Sequence, residues 1–333
     1  MLLTRRTLLA VAGAIVASPA AAQTAVARWR PRAPLPWTAQ EIYCAVWRGR
    51  IVVAGGLRGR VDAPILPLAN TAIYEPSRDR WAVAPSLPSA RHHPALAAVR
   101  GRVYAFGGYQ EAPGGQWRAI TGVQVFDGRQ WTPGLAMPGP QSETVALAHG
   151  DAVHLIGGRA PSGESNARWE DQADVAQHRV FDAREGRWRD ARPAPTARNS
   201  AAGAVIDGAL YVVGGRTVRG GNLGTLERYD PATDRWATLA SMPQGSGGLA
   251  AAALAGRLYA FGGEFFGPGG GGGVHPQTWI YDPARDAWTA GPAMLTPRHG
   301  LAAASVGGAL YAISGATRAS ARDTSAVVEA LIV

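Results

Sequence analysis

The sequence has no lysine: all 33 of its basic residues are arginine. It has one cysteine, Cys44, and no second apolar run long enough to cross a bilayer after its first residues. A lone thiol cannot form an internal disulfide, so packing and chain closure must hold the fold. No long stretch keeps a 3.6-residue apolar period, which argues against a helical protein. No basic run is interleaved with aromatics and no nucleic-acid-binding module is present, which argues against nucleic acid as a partner. The net charge of +9 is better explained by GC-rich coding, given arginine-only usage beside abundant Ala, Gly and Pro; the remainder goes to an anionic ligand or surface.

What is present is apolar and turn-rich. Of 333 residues, 47% are hydrophobic, and Gly 43 with Pro 24 leads to an all-β reading. Residues 1–22 read as an export signal, with a charged start, an apolar stretch from Leu8 to Ala17 and Ala20-Ala21-Ala22 as the cleavage site. Thr4-Arg5-Arg6-Thr7-Leu8-Leu9 resembles a twin-arginine signal. The expectation is a periplasmic or secreted domain over 23–333, soluble and monomeric, with no stable membrane insertion once the signal is cleaved.

One phrase recurs about every fifty residues. An apolar strand ends on Gly55-Gly56, Gly107-Gly108, Gly157-Gly158, Gly214-Gly215 and Gly262-Gly263, with a worn sixth copy at Ser314-Gly315. Each of the first five is followed by a variable loop, an aromatic-acid pair and a tryptophan, as in Tyr229-Asp230 with Trp236. An Ala-rich strand and a tight turn precede each doublet. Each unit therefore offers four short strands that bury their faces only against neighbouring copies. The glycines end a strand where a side chain would collide or where φ must be positive.

This pattern resembles the kelch-repeat β-propeller family over residues 27 to 333. The resemblance implies a six-bladed propeller of four-stranded antiparallel blades. The strand at Trp29 lacks a preceding Tyr-Asp strand, and Ala326–Val333 lacks a following Trp, so the two chain ends should complete the last blade.

The stretches leading into the Ala-rich strands should meet at one mouth. Equivalent positions there are Ala39, Arg91, Gln141, Arg198, Ser246 and Arg298; then Gln40, His92, Ser142, Asn199, Gly247 and His299; then Glu41, His93, Glu143, Ser200, Gly248 and Gly300. Guanidinium forks bind carboxylates and phosphates. Arg91, Arg198 and Arg298, with His92, His299, Glu41 and Glu143, are therefore the expected ligand-binding residues, unless the arginines are recurrent punctuation paired within the ring. Glu264, directly after a doublet, is the candidate catalytic acid; Tyr109 and His275 are outer candidates. Trp169, in the long polar insertion Glu164–His178, packs on its own blade or forms a carbohydrate-stacking edge. No metal or cofactor is expected.

Two function classes follow. One is a binding module for a small anionic ligand, glycan or peptide. The other is a carbohydrate-active enzyme, since exported kelch propellers of the N-acetylneuraminate epimerase (sialic acid mutarotase) type are distantly similar. That resemblance implies a glutamate after the glycines and an arginine shortly downstream; here no Arg follows Glu264 before Asp282. A third reading, a galactose-oxidase-like copper site at Tyr43-Cys44, lacks a matching Tyr/His set and a seventh repeat.

Overall fold

The computed structural model describes residues 27–60, 63–113, 116–267 and 271–333. The export signal expected over residues 1–22 lies outside them. Among the described residues, no helix is long and apolar enough to cross a membrane.

The repeat folds as six four-stranded antiparallel sheets. Blade 1 runs Tyr43–Trp47, Arg50–Ala54, Thr71–Glu75 and Arg80–Ala84, in chain order from the axis outward. Blades 2 to 6 begin with Ala95–Val99, Val145–His149, Ala202–Ile206, Ala250–Leu254 and Ala302–Val306. These first strands contact one another in succession, and the sixth touches the first, so the ring closes. Alanine is frequent in them because six strands crowd around one axis, and a small side chain lets them approach. Blade 6 finishes with Val328–Ile332 and, outermost, Arg28–Arg32 from the other chain end, in register Trp29 to Leu331. The two ends are thus knitted into one sheet, as the unpaired half-repeats predict.

Two devices join the blades. The second glycine of a doublet donates its N–H to the lead-in carbonyl of the next blade, as Gly56 to Arg91 (3.0 Å), Gly158 to Arg198 (2.7 Å) and Gly263 to Arg298 (2.9 Å). Both glycines have positive φ; a Cβ on Gly55 would meet the Arg91 carbonyl at 2.7 Å and one on Gly108 the His92 carbonyl at 2.6 Å. The doublet is therefore a place where main chains touch, which favours glycine, although Ser314 takes the first position of the sixth copy at φ 58°. At the outer rim, Trp81, Trp131, Trp236 and Trp288 donate their indole N–H to Ala33, Pro85, Arg192 and Ala240 of the preceding blade at 2.7–3.0 Å. Trp29 does the same to Pro292. Each tryptophan both buries apolar area and spends its one donor on a neighbour.

Blade 3 holds a buried imidazole pair. His154 Nδ1 lies 2.8 Å from His178 Nε2, against Tyr229 of blade 4. Burial, then repulsion from His178, holds the His154 pKa down at about 3, and burial holds that of His178 at about 4. Both groups would titrate near 6.5 in the unfolded chain, which therefore binds more protons as pH falls from 6.5 towards 4. Their stability contribution is whole above that window and lost within it. We expect acidification from pH 7 to 5 to cost about 2 kcal/mol per histidine, read from urea midpoints. A His154→Leu variant should show a shallower pH slope; an unchanged slope would contradict the assignment.

Candidate functional site

Beyond each glycine doublet the chain leaves the sheet and returns as an extra arm. Five of these arms are two-stranded hairpins, such as Tyr109–Ala112 with Gln116–Ala119 and Arg216–Thr217 with Gly221–Asn222. The residue directly after each doublet pairs, through its backbone, with the second lead-in residue of the same blade. These bridges are Gln40–Leu57, His92–Tyr109, Ser142–Arg159, Asn199–Arg216, Gly247–Glu264 and His299–Ala316. Inside this circle sits the third lead-in position, where Glu41, His93, Glu143 and Ser200 take φ of 49 to 53° and Gly248 and Gly300 take 64 and 59°. Four non-glycine residues hold a left-handed backbone here, a conformation that costs free energy and gathers at functional sites. Their main chains link around the axis, as Ser200 N–H to Glu143 O and Gly300 N–H to Gly248 O.

The arms wall a cavity of about 800 Å³ above this circle. Of the expected residues, His92, His299, Glu41, Glu264 and the outer candidate His275 line it, and Tyr109 does not. Glu143 lies just below, accepting from the Tyr109 hydroxyl (3.1 Å) and Ser200 Oγ (2.8 Å). The three expected arginines do not line it. Arg91 donates to the carbonyls of Gly107 and Gly122 (3.3 and 3.1 Å). Arg198 binds the carbonyls of Thr225 and Val212 and the Glu227 carboxylate (2.8 Å). Arg298 binds the carbonyls of Ser314 and Val327, with Glu329 at 3.7 Å. Gln141 and Ser246, at the same position, cap the carbonyls of Gly157 and Gly262. The shared task is to satisfy carbonyls left open where the glycines end the sheet, so this position faces its own blade. Arg91, Arg198 and Arg298 are thus recurrent punctuation, turned into their own blades and away from the mouth where a ligand ring was expected.

The exposed Arg219 lines the rim, and two other arginines, Arg159 and Arg216, supply guanidiniums further in. Both follow a doublet directly, in the register of Glu264. Arg216 Nη1 is ion-paired to Glu264 Oε1 and lies 3.4 Å, through Nε, from Asn199 Oδ1. Burial would lower the Arg216 pKa, but Glu264, Glu143 and Glu41 together raise it. The guanidinium beside Glu264 thus comes from the neighbouring blade. Glu264 Oε2 also accepts the Ser320 N–H (2.7 Å) and faces His299 Nδ1 at 3.5 Å. Arg159 stands 3.7 Å from Glu143 and stacks its guanidinium on the Trp169 ring at 3.9 Å. Trp169 accordingly packs on its own blade and also forms a cavity wall.

A third charged group is Glu41 with His93, Oε2 to Nε2 at 2.9 Å. Burial would raise the Glu41 pKa, but His93, His299 and Arg216 hold it well below the usual carboxylate range. For His93, burial opposes the charge and Glu41 outweighs it, so its pKa lies above the ordinary value. His92, buried beside His93, is pushed well below. The rest of the wall combines aromatic and apolar side chains, among them Trp117, Trp169 and Phe265, with polar ones, among them Thr217, Arg219 and Asn222. Of the glycine tract 269–273, Gly272 and Gly273 pair with Phe266 and Phe265 and Gly271 accepts the Gly267 N–H (2.6 Å); Gly269 and Gly270 lie outside the described residues.

Cys44 is elsewhere. Its thiol donates to the Ala303 carbonyl (3.1 Å) among the first strands, and burial pushes its pKa up to about 12. Among the described residues no cluster of three or more His, Cys, Asp or Glu side chains is placed to hold a metal ion.

A family model for the KLHDC2/KLHL20/DRC7 Kelch-repeats domain matches residues 41–263, and a Kelch motif model matches residues 246–295. Kelch-like protein terF of Aspergillus terreus is 26% identical over 62% of this chain and 45% of its own length. Alpha-scruin of Limulus polyphemus is 27% identical over 56% of this chain and 20% of its own. The matches therefore span under half of these relatives. The solved structure of YjhT superposes with a TM-score of 0.74 at 15% identity, covering 90% of this chain and 96% of that one, a likeness of fold. Six blades built on glycine doublets, and a family model matching most of the chain, make this protein a member of the kelch-repeat family.

Proposed function

We propose that the mouth of the propeller binds a small hydroxyl-rich ligand of carbohydrate type, in a protein exported by its N-terminal signal and acting as a monomer. The observation that carries this reading is the pairing of the charges on the cavity's floor, with Arg219 standing exposed at its rim. Arg216 is taken by Glu264, Arg159 by Glu143, and His93 by Glu41. An anion reaching that floor would have to displace a buried carboxylate from its partner, at the cost of stranding that charge. A sugar asks only for donors and acceptors, which the floor offers, and for an aromatic face, which Trp117 and Trp169 offer. Isothermal titration with neutral oligosaccharides, N-acetylneuraminate and inorganic phosphate tests it. Binding of a sugar should weaken about tenfold or more in Trp169→Ala. Phosphate binding alone, unchanged in that variant, would return the site to an anion role.

A second reading is catalytic, favoured by the Gly-Gly-Glu at Glu264 with Arg216 and His299 around it. An acid held between a guanidinium and an imidazole suits proton transfer to a sugar oxygen. Mixing the protein with α-N-acetylneuraminate and following anomer exchange by NMR decides this, since a rate equal to the blank rejects it.

A further inference from the structure

Two consecutive histidines and a glutamate form a hydrogen-bonded line that ends blind. Glu41 Oε2 lies 2.9 Å from His93 Nε2. His93 Nδ1 lies 2.5 Å from His92 Nδ1. His92 Nε2, at the far end, has no hydrogen-bond partner although the residue is 2% exposed and lines the cavity. A buried nitrogen left unpaired is costly and calls for an explanation. The ring is fixed from both sides: Tyr109 stacks on it at 5.0 Å and Trp117 lies edge-on at 3.9 Å. His93 sits at a left-handed φ of 53°, a strained backbone that sets the rings side by side.

The chemistry of each member fixes the protons. An ionised carboxylate only accepts, so His93 Nε2 carries hydrogen. The short contact between the two Nδ1 atoms requires one proton between them. If it belongs to His93, His92 carries its own hydrogen on Nε2 and is a donor. If it belongs to His92, the Nε2 is a bare lone pair and an acceptor. As the His92 Nε2 proton leaves, the bridging proton shifts between the rings, and the end of the line passes from acid to base.

We propose that Glu41, His93 and His92 form a proton relay in which His92 Nε2 is the acid–base atom offered to a ligand oxygen. This rests on reading the cavity as a carbohydrate site. In the forward sense the His92 Nε2–H bond breaks as an O–H bond forms on the ligand. The His93 Nδ1 proton passes to His92 Nδ1, leaving His93 neutral with its Nε2–H on Glu41. The reverse sequence takes a proton from a ligand hydroxyl, so nothing is consumed. Glu41 and His93 act through His92 and are positioning residues. The side chains around the pair, Tyr43, Tyr109 and Trp117, carry no charge in the neutral range; Glu143 and Arg216 act on His93 from across the circle with opposite signs.

The test is two-bond proton–nitrogen NMR on the full chain with ¹⁵N-labelled histidine between pH 5 and 9. We expect the deprotonation of His93 and the change at His92 Nε2 to share one midpoint, and Glu41→Gln to lower that midpoint by a pH unit or more, a tenfold change in proton affinity. Independent titration of the two rings in the wild-type chain overturns the relay, whether or not the variant folds. With α-N-acetylneuraminate as probe, His92→Gln should slow anomer exchange about a hundredfold, and Glu41→Gln should displace its pH profile. A wild-type rate equal to the blank rejects the catalytic reading of the cavity, while the spectra still decide the relay. A normal rate in His92→Gln overturns the assignment of His92.

Discussion

A chain ending at Ser325 should fail to fold cooperatively. It would lack Val328–Ile332, which pairs with Ala309–Ile313 on one side and with Arg28–Arg32 on the other. Val328, Ala330 and Leu331 are fully buried. Losing them would also leave the N-terminal strand with no edge to pair with. Trp29, whose indole reaches Thr278 and Pro292 of blade 5, would be released with it. Without a disulfide, no covalent bond holds the ring shut in their place. The expected result is loss of the sharp thermal transition, with exposed sheet edges that associate. Removing Val333 alone, which is exposed, should leave the transition where it was. A truncated protein that melts like the full chain would refute the closure.

The second large effect is expected at Arg198. Its guanidinium is buried with the Glu227 carboxylate at 2.8 Å, their side chains 2% and 1% exposed. Arg198→Ala would strand that acid and open the carbonyls of Val212 and Thr225. Breaking a buried pair from one side costs about 3–5 kcal/mol, a large part of the stability of an ordinary domain. The double variant Arg198→Met with Glu227→Gln should recover much of the loss, since neither charge is then left alone. Urea unfolding of the three proteins measures it. Equal stability of wild type and Arg198→Ala would show that the arginine is not the structural cap described above.

The sequence makes the ring legible because its constraint is periodic. Gly55-Gly56 and its successors stand where main chains touch, and five of the six blades meet that demand with the same glycine pair, the sixth with Ser314-Gly315. The half-repeats at Trp29 and Ala326–Val333 foretell the closing sheet for the same reason. The site is only half legible. Repeat register brings His92, His299 and Glu41 to one mouth, because equivalent positions lie on one circle. Register alone does not show that Arg91, Arg198 and Arg298 turn inward to cap their own carbonyls, since a buried and a mouth-facing arginine read alike in sequence. Arg159 and Arg216 carry a signal that was open to use: each follows a doublet, in line with Glu264. Trp117 carries none, because it lies on an arm whose length differs from blade to blade.

Those arms leave the frame after a glycine doublet and rejoin it before the third strand. Neighbouring arms bond one another, as Asn166 to the Ala119 carbonyl and the Val218 N–H to Asp174, while the sheets themselves are joined by the doublets and the rim tryptophans. Frame and mouth can therefore change at separate tempos over evolutionary time. Exchanging one arm for a longer or differently charged one would remodel recognition like a cassette, on a chassis whose own fit is left undisturbed.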